Sequence, residues 1–173
     1  MPKTETRLWT CEGVPLLSLT LTLPYGLHPE IDACLSLVKS GATDACEALF
    51  PAIQAAFQQN TDPRRNFTVR RAEAVLLCIA KQVGEYLCLE MNYSYRGAQS
   101  KCIQHYYTFR LSDGVLLPLW FFLSRRDFRT HQKEKHLPKS LSYARARHLP
   151  YRLTNTGLEI LFRDKWYPLP PPA

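Results

Sequence analysis

The chain has 173 residues, of which 46% are apolar, 21% charged and 12% aromatic. That length suits one domain, and the composition supplies a core without help from metal or disulfide, so intrinsic disorder is excluded. The net charge is +7, and residues 125–152 hold nine bases against two acids, so this one segment carries the whole imbalance and the remainder is neutral. Localised positive charge attracts phosphates, acidic polymers or acidic proteins, although charge runs also serve simply as solvated faces.

Met1–Cys11 is polar and charged, unlike a signal peptide. No apolar run approaches the roughly 20 residues of a membrane-spanning helix. Leu17, Leu19, Leu21 and Leu23 alternate with Ser18, Thr20 and Thr22, the period-two pattern of a half-buried strand. Pro24, Gly26 and Pro29 end it. From Glu30 the period lengthens, and Ile31, Cys34, Leu35 and Val38 form a helical stripe. Ser40-Gly41 is expected to interrupt or bend this helix, with Asp44 and Glu47 restarting it as a capping-box pair. Leu49, Ile53, Ala56 and Phe57 continue an apolar face, within which Pro51 marks a kink or a first turn. Thr61-Asp62-Pro63 reads as a turn.

A meander follows. Phe67–Ile79 reads as a strand with a bulge or bend, and Gly84 turns the chain. Leu87, Leu89, Met91, Tyr93 and Tyr95 face one way in the next strand. Gly97-Ala98 turns again, and Ile103, His105, Tyr107, Phe109 and Leu111 alternate in a third strand. Ser112-Asp113-Gly114 is a hairpin signal with Val115–Leu119 as the return. Ser124 and Asp127 form a capping pair for a short basic helix, Arg125–Lys135, whose one apolar anchor is Phe128. Pro138–His148 reads as a basic connector. Tyr151, Leu153, the Asn155-Thr156-Gly157 turn, Leu158, Ile160 and Phe162 make a last hairpin. Trp166–Ala173 is Pro-rich and cannot form an interior strand. The order of elements predicts an α+β fold: an antiparallel meander sheet with N-terminal helices packed on one face, and a basic helical insertion, residues 124–148, before the last hairpin.

Six cysteines (Cys11, Cys34, Cys46, Cys78, Cys88 and Cys102) show no CxxC and no zinc-type Cys/His spacing. Lacking an export signal in the sequence, they are expected to be reduced, mostly buried thiols. Cys102 and His105 lie three apart on a strand and so point to opposite faces, which rules them out as a catalytic pair. His105 is expected to be a core or interface histidine. His131, His136 and His148 are expected to lack acid or Cys partners for a metal. The carboxylates show no pairing, and no Gly-rich phosphate loop is present. No enzyme activity and no cofactor are expected. Tyr93, Tyr95, Tyr106 and Tyr107 set aromatic faces on both sides of one hairpin, where strand packing competes with ligand stacking.

The order of these parts is similar to the extracytoplasmic domain of RsiV-type anti-sigma factors, related to a domain found beside some peptidoglycan deacetylases. The resemblance is carried by Tyr93-Ser94-Tyr95-Arg96-Gly97-Ala98, by Tyr107-Thr108-Phe109-Arg110-Leu111-Ser112-Asp113-Gly114, and by Val115-Leu116-Leu117-Pro118-Leu119. Leu153-Thr154-Asn155-Thr156-Gly157-Leu158 and Phe162 resemble the family's late hairpin, and Pro15–Phe57 its leading strand and long helix. The likeness covers most of residues 14–163. It implies one RsiV-like domain over residues 1–173, an extracytoplasmic setting, and a non-catalytic sensing or binding role toward a protein or cell-wall-derived ligand.

The contact residues expected from charge are Arg125, Arg126, Arg129, Lys133, Arg145 and Arg147, each a charge-assisted donor to acidic groups. Two other readings use the same segment. In one, a cytoplasmic nucleic-acid-associated protein sets residues 125–152 on phosphates. In the other, a regulatory or structural subunit folds that segment against a partner.

Overall fold

A computed structural model describes residues 2–59, 71–97 and 100–170. The turn read at 61–63 and the start of the strand read from Phe67 lie outside the described residues. The fold divides into two compact units, Met1–Ile79 with Met91–Gln104, and Ala80–Glu90 with His105–Ala173. Among the described residues one sheet has the order β1-β2-β3-β4-β5-β6 and a second β7-β8-β9. The architecture is α+β and mostly antiparallel, as the sequence predicts.

In the first unit, β1 (Pro2–Cys11) and β2 (Val14–Pro24) form an antiparallel hairpin. Glu12 and Gly13 turn it with φ of 51° and 79°, the positive values a tight hairpin requires. Thr4 meets Thr22 and Thr6 meets Thr20 across the pair, with hydroxyls 3.1 and 3.4 Å apart. β1 is an element the sequence reading did not find. Its charges mark an edge strand, exposed along most of its length.

The helix α1 (Pro29–Gln59) is one continuous element of 31 residues. The break expected at Ser40-Gly41 and the restart at Asp44 do not occur. A helical glycine costs about 1 kcal/mol relative to Ala. Here Ala42, Thr43 and Cys46, buried immediately after it, hold the backbone helical. Pro51 lies within the helix. The helix returns the chain so that β3 (Ala72–Val83) pairs parallel with β2, in register from Leu17 opposite Ala72 to Thr22 opposite Leu77. Leu17, Leu19 and Leu21, as their alternation predicts, pack with Ala42, Cys46, Ala72, Ala74 and Leu76 in the core of this unit. Tyr93 and Tyr95 of β4 (Tyr86–Arg96) pack against it too.

In the second unit, β5 (Lys101–Arg110) pairs antiparallel with β6 (Leu116–Leu117) across the predicted Ser112–Gly114 turn. The expected return strand through Leu119 is cut to these two residues. Pro118, which has no N–H to extend the ladder, caps the short helix α2 (Leu119–Phe122) instead. The basic helix forms as α3 (Arg125–Lys133) behind its Ser124 cap. The connector read at Pro138–His148 contains a further turn of helix, α4 (Tyr143–Ala146). It is also anchored, because Leu141 and Ala146 are buried. The last hairpin forms as β7 (Tyr151–Thr154) and β8 (Gly157–Phe162). The Pro-rich end begins as a strand, β9 (Lys165–Leu169), antiparallel to β8. It lies at the edge of its sheet, where Pro168 is tolerated. Phe128, Leu141, Tyr151, Ile160 and Phe162 belong to the second core.

Candidate binding site

The site is built around α3. Ser124 Oγ accepts the Asp127 N–H at 3.1 Å and donates to Asp127 Oδ2 at 2.5 Å, fixing the first turn. Phe128 and His131 stand three residues apart and therefore share a face, at 2% and 4% exposure. The Tyr143 ring meets Phe128 edge-on at 5.4 Å. Phe128 is thus not the only anchor; His131 accompanies it. Gln132 Nε2 donates to the carbonyls of Pro138 at 3.1 Å and Leu141 at 2.7 Å, pinning the following segment.

Of the remaining positions of α3, Arg125, Arg126, Arg129, Thr130 and Lys133 are exposed. Arg125, Arg129 and Lys133 recur every four residues and form one exposed stripe, with Arg126 beside it. Arg145 and Arg147 are exposed on α4 and its C-cap. The Arg145 guanidinium lies 5.1 Å over the Phe162 ring. The fold thus places four of the six expected contact residues on one helix and the other two on the next helical turn of the same unit. None of the six pairs with an acid among the described residues. Both acids of the 125–152 segment are engaged locally: Asp127 by the Ser124 cap, and Glu134 by two histidines. Glu159 is held at 2.6 Å by Arg152, whose guanidinium lies 4.2 Å over Trp166.

The inner side of α3 lines a cleft of about 390 Å³ whose walls include Tyr86, Phe122, Leu153, Leu158, Asp127 and His131. A small apolar cleft with a few polar groups has the character of a ligand pocket. Val115, Leu116, Trp120 and Phe121 are exposed large apolar residues of the same unit, with the Arg110 guanidinium 5.9 Å over Phe121. Sequence reasoning did not single these out. The available signal was the run Leu119-Trp120-Phe121-Phe122, too apolar for a loop and too short for a buried helix.

His131 Nδ1 lies 3.3 Å from His136 Nδ1, and Glu134 Oε2 lies 3.4 Å from His136 Nδ1 and 3.9 Å from His131 Nδ1. The expectation that these histidines lack an acid partner is therefore corrected. Glu134 reaches both, because Lys135 takes a left-handed conformation, φ 64°, and folds His136 back onto the helix end. Burial, reinforced by the neighbouring His136, pushes the His131 pKa down, partly opposed by Glu134 and Asp127. His148 is exposed and is not one of this group.

Other candidates are distributed elsewhere. His105, expected in a core or interface, is exposed, its ring 6.2 Å from Tyr107. Tyr106 meets Trp166 edge-on at 5.0 Å. Of the cysteines, Cys11, Cys46, Cys78 and Cys88 are buried and Cys102 is exposed. Burial, aided by Cys34, pushes the Cys78 thiol up to about 12.

No protein-family model and no curated protein matches the sequence. Solved structures do match. One is a member of the DUF3298 family from Bacteroides fragilis NCTC 9343, with a TM-score of 0.57 over 98% of this chain and 88% of that one, at 11% identity. Another is a DUF3298 family protein from Pseudomonas aeruginosa PAO1, with a TM-score of 0.46, 14% identity, and coverage of 79% and 62%. The likeness to the Bacteroides protein is one of fold. DUF3298 is a domain of unknown function. The comparison supports the α+β architecture and carries no activity with it.

Proposed function

We propose that this chain is a non-enzymatic binding module of the RsiV-like sensor type, whose partner is a protein or cell-wall-derived ligand bearing acidic groups. Arg125, Arg126, Arg129, Lys133, Arg145 and Arg147 make the contact as charge-assisted donors. One observation carries the reading. Both acids of the basic segment are held by local partners, so the six cations are exposed without a described counter-ion. The exposed Trp120 and Phe121 in the same unit favour a protein surface over bare phosphates, since aromatic residues and Arg are the enriched components of protein interfaces.

The test compares the intact chain with a variant carrying Gln at all six positions, in affinity capture from lysate and envelope fractions across a salt series. A protein or wall fragment held by the intact chain and lost by the variant is the expected result. Phosphate binding through six contacts would weaken by about five log units per tenfold rise in salt. Capture of nucleic acid alone, with such a slope, would replace this reading by the nucleic-acid one.

A further inference from the structure

The His131, Glu134 and His136 cluster uses none of the six cationic contact residues and asks for a different chemistry. We propose that His131 Nδ1, His136 Nδ1 and Glu134 Oε2 together bind a divalent transition metal ion of the zinc class at the C-terminal end of α3.

The geometry fits such an ion. Two ligand atoms each about 2.0–2.1 Å from a tetrahedral zinc ion stand about 3.3–3.4 Å apart. The observed separations are 3.3 Å between the two imidazole nitrogens and 3.4 Å between His136 and Glu134. The third, 3.9 Å between His131 and Glu134, closes with a shift of the partly exposed Glu134 side chain. Two imidazole nitrogens and one carboxylate oxygen select zinc-like ions over calcium or magnesium, which take oxygen ligands.

The backbone holds the three donors in place. Glu134 N–H donates to the Thr130 carbonyl at 3.0 Å, the last bond of the helix. The left-handed Lys135 then reverses the chain. His136 N–H and Leu137 N–H both donate to the His131 carbonyl, at 2.9 and 3.3 Å. Buried Phe128 and Leu137 flank the turn on either side. All three ligands therefore come from six consecutive residues whose positions are set by helix capping. The set leaves a fourth coordination position to water, since Glu134 and His136 are partly exposed. A hydrogen bond between the two neutral imidazoles is the competing account of the 3.3 Å contact, and it needs no ion.

The test uses the untagged, chelator-treated full chain titrated with Zn²⁺ by calorimetry and with Co²⁺ by absorption spectroscopy. The expected result is one equivalent of metal and a tetrahedral Co²⁺ spectrum without a thiolate charge-transfer band. His131 is buried and its replacement risks misfolding. Glu134→Gln and His136→Ala, at partly exposed positions, each weaken binding by more than the roughly tenfold loss typical of an outer-shell change. His148→Ala leaves it intact. A thiolate band, binding unchanged in both ligand variants, or no saturable binding would overturn the proposal.

Discussion

Tyr151 offers a test of the second core in which pH and mutation must agree. Its hydroxyl donates to the Leu117 carbonyl, tying β7 to β6, and both residues are buried. Burial pushes its pKa from 10.0 up to about 12. Tyr151→Phe keeps the ring and removes one donor to the Leu117 carbonyl, a hydrogen bond whose net contribution is about 0.5–1.5 kcal/mol near neutrality. The folded state favours the neutral phenol, so this contribution is complete below the unfolded value near 10 and is lost as pH rises toward about 12. Linkage makes the loss in the native protein about 1 kcal/mol by pH 11 and about 3 kcal/mol in the limit. Phe cannot ionise, and other tyrosines with raised values, such as Tyr86, Tyr93 and Tyr106, titrate alike in both proteins and cancel. Urea unfolding of the pair at pH 7, 9, 10 and 11 under reductant reads the difference. A gap of about 1 kcal/mol at pH 7 should shrink to near zero around pH 11. A gap of equal size at both ends, or none at pH 7, would refute the account of Tyr151.

Three further outcomes follow from burial and capping. Cys102 is exposed while Cys46 and Cys78 are buried with raised thiol pKa values, so maleimide should label Cys102 first; peptide mapping that found Cys78 labelled equally fast would contradict this. Ser124→Ala removes the α3 cap and should cost about 1 kcal/mol in urea unfolding, a loss that Ser124→Thr, which keeps the hydroxyl, should largely avoid. Phe128→Ala should cost about 3–5 kcal/mol, whereas Arg129→Ala beside it should stay within about 0.5 kcal/mol. Similar values for the two would deny that α3 has a buried and a free face.

How much of this was legible in the sequence depends on where the ordering force comes from. Leu17, Leu19, Leu21 and Leu23 announce β2 because burial on one face of a strand imposes a period of two. Ser124 and Asp127 announce the start of α3 because capping chemistry is local. Gly41 misled because its local cost is outweighed by Ala42, Thr43 and Cys46 packed just beyond it, contacts that a single helix cannot advertise. β1 and β9 were hidden for a related reason. Edge strands need one partner and little burial, so Thr, Lys and Pro suffice and the alternation fades. In the site, the six cations are exposed as charge alone requires. His131, Glu134 and His136 do not announce themselves as a group in the sequence, because a spacing of five between the histidines matches neither helix nor strand. Only the left-handed Lys135 brings them together.

The two ends of α3 differ in a way that sharpens the metal proposal. Asp127 lies in the first turn, where the helix dipole welcomes negative charge. Glu134 is the C-cap, where the same dipole disfavours a carboxylate by about 0.3–1 kcal/mol. Without a cation, Glu134→Gln should therefore be neutral or slightly stabilising. With zinc at a hundred times its dissociation constant, the native chain should gain about 2.7 kcal/mol. For a chain of this size that is a rise in Tm of about 5–11 °C. Glu134→Gln should gain far less at the same zinc concentration. Thermal unfolding of both proteins, with chelator and then with zinc, separates a fold defect from a lost ligand. A variant already destabilised in chelator would mean that Glu134 holds the turn through its own ion pairs with the histidines. A variant of native stability in chelator that zinc no longer protects would mean that the carboxylate sits at an unfavourable helix end because it serves an ion.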